Sequence, residues 1–295
     1  MQTIKAGGVP EHFNFPWNLV VEKNSLSSSQ IDLQWKACHG GTGEMIQALR
    51  NGELDLAVLL TEGITADILH GCPAKIVQFY VNSPLRWGIH VRKGSGIESI
   101  EDIRGKKYAI SRLKSGSHLM AYVNALNHGL PISANDFVVV NNLNGAREAL
   151  AEGKADVFLW EKFTTQPYVD NGEFERIGEC PTPWPCFVVA ASNKLIHENE
   201  RAVEHVLCAV NEQAKELKRY PNQSIETISN RFKLKKSETE EWFHQLEWNV
   251  NGTTNDEALL EVLEKLRLLG IISNNEAKQP LDHIREYLSD FACAT

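Results

Sequence analysis

The 295-residue sequence predicts an α/β protein of two similar lobes, each a mainly parallel sheet flanked by helices, followed by a helical tail. Three observations carry this expectation. Short apolar runs alternate with helix-period stretches over residues 1–160, one sequence element occurs twice, and beyond Asn193 the apolar positions recur at helical spacing alone.

Each element has a local reason. Residues 3–6 read as a strand that Gly7, Gly8 and Pro10 should end. Residues 15–23 have a helical period, and residues 31–36 alternate as a second strand does. The turn Cys38-His39-Gly40-Gly41 leads to Thr42, a good N-cap for a helix with Met45, Ile46 and Leu49 on one face. Gly52 suits the residue that closes that helix, and residues 54–60 form an apolar run fit for a strand covered on both faces. Residues 75–81 are a further strand, closed by Asn82-Ser83-Pro84. A second unit follows, with strands at 87–91, 108–111 and 137–140 and a helix over 117–128. The loop Cys180-Pro181-Thr182-Pro183-Trp184-Pro185 ends it, and residues 186–191 return as a strand. In the tail, Ala202, Val206, Ala209, Val210, Ala214 and Leu217 make one apolar stripe; Leu259, Leu260, Val262, Leu263 and Leu266 make another. Residues 1–82 with 186–295 should therefore form lobe one, and 83–185 an inserted lobe two.

The repeated element is the most informative feature. Ala48-Leu49-Arg50-Asn51-Gly52-Glu53-Leu54-Asp55 precedes the apolar run 56–59, and 101 residues later Ala149-Leu150-Ala151-Glu152-Gly153-Lys154-Ala155-Asp156 precedes Val157-Phe158-Leu159-Trp160. In each copy a helix ends on Ala-Leu, Gly supplies the left-handed residue, and Asp stands at the mouth of a buried strand. Two copies in the same context point to two similar lobes.

Thirty Lys and Arg against 38 Asp and Glu give a net charge of −8, which argues against nucleic acid as a partner. Residues 84–182 carry 12 basic and 12 acidic side chains, so the acidic excess lies outside the inserted lobe. Arg104, Lys106, Lys107, Arg112 and Lys114 surround one strand there, as a solvated strand edge or as a positive field beside a ligand. No apolar run approaches the roughly 18 residues of a membrane span and no signal-peptide core opens the sequence. A cytoplasmic protein without direct membrane insertion is expected. The six Cys (38, 72, 180, 186, 208, 293) lack CxxC or zinc-type spacing, so free thiols and no metal are expected. Gly40-Gly41-Thr42-Gly43 lacks the spacing and the Lys of a phosphate loop, and no cofactor is expected.

The opening strand with its Gly-rich loop, the repeated element, Ser115-Gly116-Ser117 before a helix, and Lys218-Arg219-Tyr220-Pro221-Asn222 between two tail helices occur in a telling order. In that order the chain resembles the type II periplasmic binding proteins. The branch is that of nitrate, sulfonate and taurine receptors and of proteins that bind the thiamine pyrimidine precursor, and the chain is also similar to a signal-less subgroup known from fungi and bacteria. The resemblance implies a small-molecule ligand in a cleft between two lobes that close by hinge motion, with an ABC transporter as the partner of such receptors. Independently of it, open parallel sheets bind ligands beyond the carboxyl ends of their strands, where helix N-termini favour anions.

Carried onto this sequence, the cleft takes Pro10, Glu11, His12 and Phe13 after the first strand, and Gly41, Thr42 and Gly43 at the second helix. Thr61 and Glu62 follow the first copy of the repeated strand, and Asn82 and Ser83 stand at the crossing. In lobe two it takes Ser111 and Arg112 at a strand end, Ser115, Gly116, Ser117 and His118 at the next helix, and Trp160 and Glu161 after the second copy. Trp184 lies in the returning loop. The glutamates favour a ligand with donors or positive charge, the basic cluster an anion; an anionic or pyrimidine-like ligand is expected, bound without catalysis. The alternative is a cytosolic enzyme on the same fold, similar to thiamine-pyrimidine synthases or chorismate dehydratases, using His12, His39 or His118 with a cleft glutamate. The synthase resemblance implies a CCCFC motif, and this sequence departs from it, with only Cys180 and Cys186-Phe187 around the Pro-rich loop.

Overall fold

The computed structural model describes residues 1–252, 255–286 and 288. Its strands are β1 (Gln2–Gly8), β2 (Ile31–Ala37), β3 (Leu56–Leu60), β4 (Ala74–Val81), β5 (Arg86–Arg92), β6 (Tyr108–Ile110), β7 (Phe137–Val139), β8 (Val157–Glu161), β9 (Phe174–Pro181) and β10 (Phe187–Ser192). Its α-helices are α1 (Phe15–Glu22), α2 (Gly41–Arg50), α3 (Thr61–Leu69), α4 (Gly116–Asn127), α5 (Leu143–Ala151), α6 (Lys162–Asp170), α7 (Asn193–Arg219), α8 (Pro221–Phe232), α9 (Lys236–Gln245) and α10 (Asp256–Leu268). The chain divides into two compact units, residues 1–83 with 184–295 and residues 84–183.

The two sheets repeat one plan. Unit 1 has the order β2-β1-β3-β10-β4 and unit 2 the order β7-β6-β8-β5-β9. In each, the first three strands are parallel, and the fourth runs antiparallel to both neighbours. The sheets are thus mixed where the sequence predicts mainly parallel ones. The antiparallel strand is the one the chain forms immediately on passing from one unit to the other, β5 in unit 2 and β10 in unit 1, so its direction is set by the crossing and not by a helix-mediated crossover.

The central strands are apolar on both faces because helices cover both. In unit 1, Leu56–Leu59 and Val188–Ala191 are fully buried, and α7 lays Ala202, Val206, Val210, Ala214 and Leu217 toward the core. A non-helical Asn199 divides α7; its side chain accepts from the Ala202 amide and restarts the helix. In unit 2, Ala109, Val140, Ala146, Ala149, Leu150, Ala155, Phe158 and Phe174 pack as one cluster.

The sequence echo is one turn built twice. Gly52 and Gly153 take φ of +69° and +68°, which lets the next two amides turn back onto Ala48 O and Ala149 O. Asp55 Oδ2 then accepts from Lys5 N while Asp55 N donates to Lys5 O; Asp156 makes the same pair with Lys107, with distances of 2.8 and 2.9 Å in both copies. Each Asp therefore ties the start of a buried strand to its parallel neighbour.

Several local expectations change. Gly7 and Gly8 do not stop β1 but lie within it, because a Cβ would meet Leu54 Cδ1 at 2.6 Å at the first and the Trp35 ring at 2.5 Å at the second. The N-cap of α2 is Gly40, not Thr42. Leu260 is exposed, one residue off the buried face of α10. Strand β9 reaches Pro181, inside the stretch read as loop; at the edge of the sheet a missing N–H costs no ladder bond. Cys38, Cys72, Cys180 and Cys186 are buried thiols outside any disulfide, whereas Cys208 is disulfide-bonded, a pairing that spacing does not encode. Cys293 lies outside the described residues. Among the described residues no helix is long and apolar enough to cross a membrane.

Gly52→Ala and Gly153→Ala place a Cβ on a left-handed residue. Each should cost about 1 kcal/mol, lowering Tm by about 2 °C at this chain length in differential scanning calorimetry.

Candidate functional site

In unit 1 the ends of β3 and β4 and the start of β10 lie at one edge, where Phe187 pairs with both Leu60 and Val81. Helix α3, which follows β3, begins there. Thr61 opens α3: its amide donates to Cys186 O at 3.1 Å and its hydroxyl to Pro185 O at 2.6 Å. Thr42 Oγ1 accepts from Leu60 N at 3.2 Å, and a Cβ on Gly63 would lie 2.6 Å from Thr42 Cγ2. The absence of a side chain at residue 63 thus lets the first turns of α2 and α3 abut. Gly41, with φ of +63°, and Gly43 belong to that same first turn of α2.

Glu62 and Trp184, both 2% exposed, form the core of this edge. The Trp184 indole donates to Glu62 Oε2 at 2.9 Å, while Oε1 is buried without a hydrogen-bond partner. Burial raises the Glu62 carboxyl from 4.5 to about 7, against the pull of its own amide and the indole. Trp184 is thereby part of unit 1.

The remaining unit 1 residues are mainly structural in their contacts. Pro10 is exposed and Glu11 half-buried. His12 is packed against Phe13, Phe232 and Trp242, and burial pushes its imidazole down to about 3, so it stays neutral. The Phe13 carbonyl accepts from Tyr80 and Trp248, and its ring meets Phe187 at 5.1 Å. Asn82 N donates to Glu247 O and Ser83 Oγ accepts from Glu247 N, tying the crossing to the tail.

In unit 2 the corresponding edge holds the ends of β6 and β8 and the start of β5. Ser111 follows β6 and Ser115 caps α4, accepting from His118 N. Ser117 Oγ accepts from Ser111 N at 3.0 Å and lies 3.0 Å from Ser115 Oγ and 3.4 Å from Ser111 Oγ. Three hydroxyls bring three hydrogens, and their two mutual contacts use at most two, so at least one is left for another acceptor. His118 Nδ1 accepts from Lys114 N, and its ring packs on Tyr122 and Phe137, which fixes it as part of the loop. Gly116 begins α4, and Arg112 is half-buried beside Ser111. The basic cluster is split by β6: Arg104, Lys106 and Lys107 precede the strand, and only Arg112 and Lys114 follow it.

Trp160, half-buried, stacks on Phe158 at 5.3 Å and meets Trp87 edge-on at 6.4 Å. Glu161 is spent on α6, accepting from Thr164 N at 2.7 Å and Thr164 Oγ1 at 2.8 Å. Burial raises its carboxyl pKa, opposed by the Thr164 bonds and the Arg176 charge. Two contributors to these edges gave no signal in the sequence. Gly63 matters through what it lacks, and Trp87 is placed beside Glu161 only by the β5–β8 register; its buried Nε1 has no partner. Among the described residues no group of three or more His, Cys, Asp or Glu is placed to hold a metal ion.

This arrangement has known counterparts. The Ca3427-like PBP family matches residues 87–180. The conserved CA3427 gene product of Candida albicans, which has the generic periplasmic binding protein fold, is 25% identical and superposes with a TM-score of 0.90 over 98% of both chains. The chain has the periplasmic binding protein fold. Within that fold it is also similar to the alkanesulfonate-binding protein SsuA of Xanthomonas axonopodis pv. citri bound to MOPS (TM-score 0.75, 15% identity, 93% of this chain and 95% of that one). The aliphatic sulphonate binding protein SsuA of Escherichia coli gives a TM-score of 0.74 at 15% identity over 99% of both chains. No curated protein matches the chain. The two edges described above lie at the carboxyl ends of the parallel strands, the place where open α/β sheets in general bind ligands.

Two outcomes check the unit 1 geometry. Gly63→Ala drives a Cβ into a β-branched side chain whose hydroxyl is held, and should cost about 1–3 kcal/mol; adding Thr42→Ser, which removes Cγ2 and keeps Oγ, should restore most of the lost Tm. The raised pKa of Glu62 means that the folded state keeps a proton the unfolded state has released. Its stabilising effect is complete below pH 4.5 and is lost as pH rises toward 7. Urea titrations should therefore show Glu62→Gln gaining about 3 kcal/mol on the wild type across that range. The neutral buried His12 and His90 act in the opposite direction, in both proteins alike, and cancel in the difference.

Proposed function

We propose that the chain is a small-molecule-binding protein whose ligand is an organic anion, held without chemical conversion. The observation that carries this is the serine cluster at the start of α4. Ser111, Ser115 and Ser117 gather at a helix N-terminus beyond the carboxyl end of β6, with at least one hydroxyl hydrogen not spent among themselves. Such a cluster offers donors where the helix already favours negative charge.

The sequence leaves acidic and basic candidates in conflict, and their contacts favour the anion. Glu161 is occupied in capping α6, and Glu62 is held neutral by burial until about pH 7, so neither presents a free negative charge to a ligand at or below that pH. That weakens the case for an amine or an aminopyrimidine. The SsuA proteins of the same fold are sulfonate binders, one of them with MOPS bound, which makes alkanesulfonates the first ligands to try. The enzyme alternative lacks support: His12 is buried and neutral, His118 Nδ1 is engaged with Lys114 N, and burial pushes the Cys180 thiol up to about 12.

A thermal-shift panel of taurine, alkanesulfonates, phosphonates, nitrate and aminopyrimidines tests this reading. A ligand at 1,000 times its Kd adds about 4 kcal/mol, roughly 6–7 °C for a chain of this length. The expected result is a shift of that size from a sulfonate or phosphonate, at least halved in Ser117→Ala relative to that variant's own ligand-free Tm, with the ligand recovered unaltered. A response confined to aminopyrimidines, or recovery of a converted compound, would overturn it.

A further inference from the structure

The loop that carries the serine cluster of unit 2 contains a strained residue, and a histidine is tied to it. Lys114 has φ of +63°, in the left-handed region that residues with a Cβ rarely take. It lies in the turn that Ser115 N closes by donating to Arg112 O at 3.2 Å. The Lys114 amide donates to His118 Nδ1 at 2.9 Å. An amide can only donate, so Nδ1 carries no proton and the neutral imidazole keeps its hydrogen on Nε2. The ring is wedged: it meets Phe137 edge-on at 4.4 Å and Tyr122 at 5.1 Å, and those two rings lie 5.1 Å apart. The backbone of the same residue reaches the cluster itself. His118 N donates to Ser115 Oγ at 3.3 Å, Ser115 Oγ lies 3.0 Å from Ser117 Oγ, and Ser117 Oγ accepts from Ser111 N.

We propose that His118 is a positioning residue of the anion site: its neutral imidazole pins Lys114 in the left-handed turn that gathers the hydroxyls of Ser111, Ser115 and Ser117, and it does not itself meet the ligand. This rests on the anion-binding reading above. Protonation of Nδ1 sets an N–H against the Lys114 N–H, so the pin is lost and the strained turn stands unsupported. Binding then weakens in acid. A histidine that touched the anion would act the other way, because its imidazolium would strengthen binding as pH falls.

The surroundings within unit 2 favour the neutral ring. Strand β7 carries only Phe137, Val138 and Val139, none of them ionisable. Asp136, just before it, accepts from Ser133 N and Ser133 Oγ. Tyr108 of β6 packs on Phe137 at 6.2 Å, and burial pushes its hydroxyl up to about 12. Tyr122 is the titratable neighbour on α4, and the loop itself brings the cations Arg112 and Lys114. No carboxylate is among the causes of the His118 shift. Burial lowers its pKa, in keeping with a ring that accepts at Nδ1.

Isothermal titration calorimetry of the full chain with ethanesulfonate, joined to imidazole nitrogen shifts from histidine-labelled protein, tests the assignment. The shifts should report His118 as the Nε2–H tautomer and give it a folded-state pKa below the ordinary 6.5. His118→Phe keeps a ring against Phe137 and Tyr122 but offers the Lys114 amide no acceptor. Well above that pKa it should weaken binding about tenfold, the scale of one lost buried hydrogen bond. Glycine takes a left-handed φ freely, so in a Lys114→Gly background the same change should cost less than about threefold. One pH unit below the measured His118 pKa the wild-type Kd should be about tenfold weaker, a loss that the double variant does not share. An Nδ1–H tautomer, an equal loss from His118→Phe in both backgrounds, or a wild-type Kd that does not weaken in acid relative to the double variant overturns the proposal and leaves the anion-binding reading intact. If ethanesulfonate binds the wild type at no pH, both fall.

Discussion

The fold depends on a reciprocal pair of hydrogen bonds made twice. Asp55 and Asp156 each accept from the amide of a residue on or beside the neighbouring parallel strand and donate their own amide to its carbonyl. The left-handed glycine three residues before each Asp lets the preceding helix end and the chain reverse in time to make that pair. This clasp closes the starting edge of each sheet with the protein's own atoms. The opposite edge, where strands end and helices begin, is the one left with donors to share.

At that opposite edge the helices differ in how their first turns are satisfied. Ser115 caps α4 and Glu161 caps α6 through side chains that local sequence supplies. Helix α3 has only Leu60 before it, and the nearby carboxyl of Glu62 is turned to the Trp184 indole instead. A glutamate within the first turn of a helix is ordinarily an ionised residue in favourable contact with the helix dipole. Burial reverses the balance here, because removing a carboxylate from water costs more than the helix end returns. The chemistry of unit 1's edge is therefore set by how completely Trp184 and its neighbours cover one side chain.

Trp184 also shows why a two-crossing chain is hard to divide by eye. Pro181, Pro183 and Pro185 read as a single loop, yet Pro181 ends β9 in unit 2 while Pro185 O accepts from Thr61 in unit 1. Leu85 N donates to Thr182 Oγ1 on one side of the passage, and Cys186 N donates to Ser83 O on the other. Within a few residues the partners change from one unit to the other, and composition does not change with them.

The sequence by itself determined the α/β class, the repeat and the strand-end positions of Thr61, Ser111, Trp160 and Glu161, because these follow from periodicity and from turn chemistry that acts within ten residues or so. It also carried the Ser115 cap in plain view. Only the tertiary structure decided which candidates keep their charge or spare hydrogen-bonding capacity. Thr42 is drawn to the Leu60 amide, His12 is enclosed by Phe232 and Trp242 from the tail, and Glu62 is buried, with its carboxyl pKa raised, against a tryptophan 122 residues away. Gly63 and Trp87 acquire their meaning from contacts across helices and strands. Burial and long-range pairing decide the charge and the spare hydrogen-bonding capacity of a side chain, and neither is a property of the residues beside it in the chain.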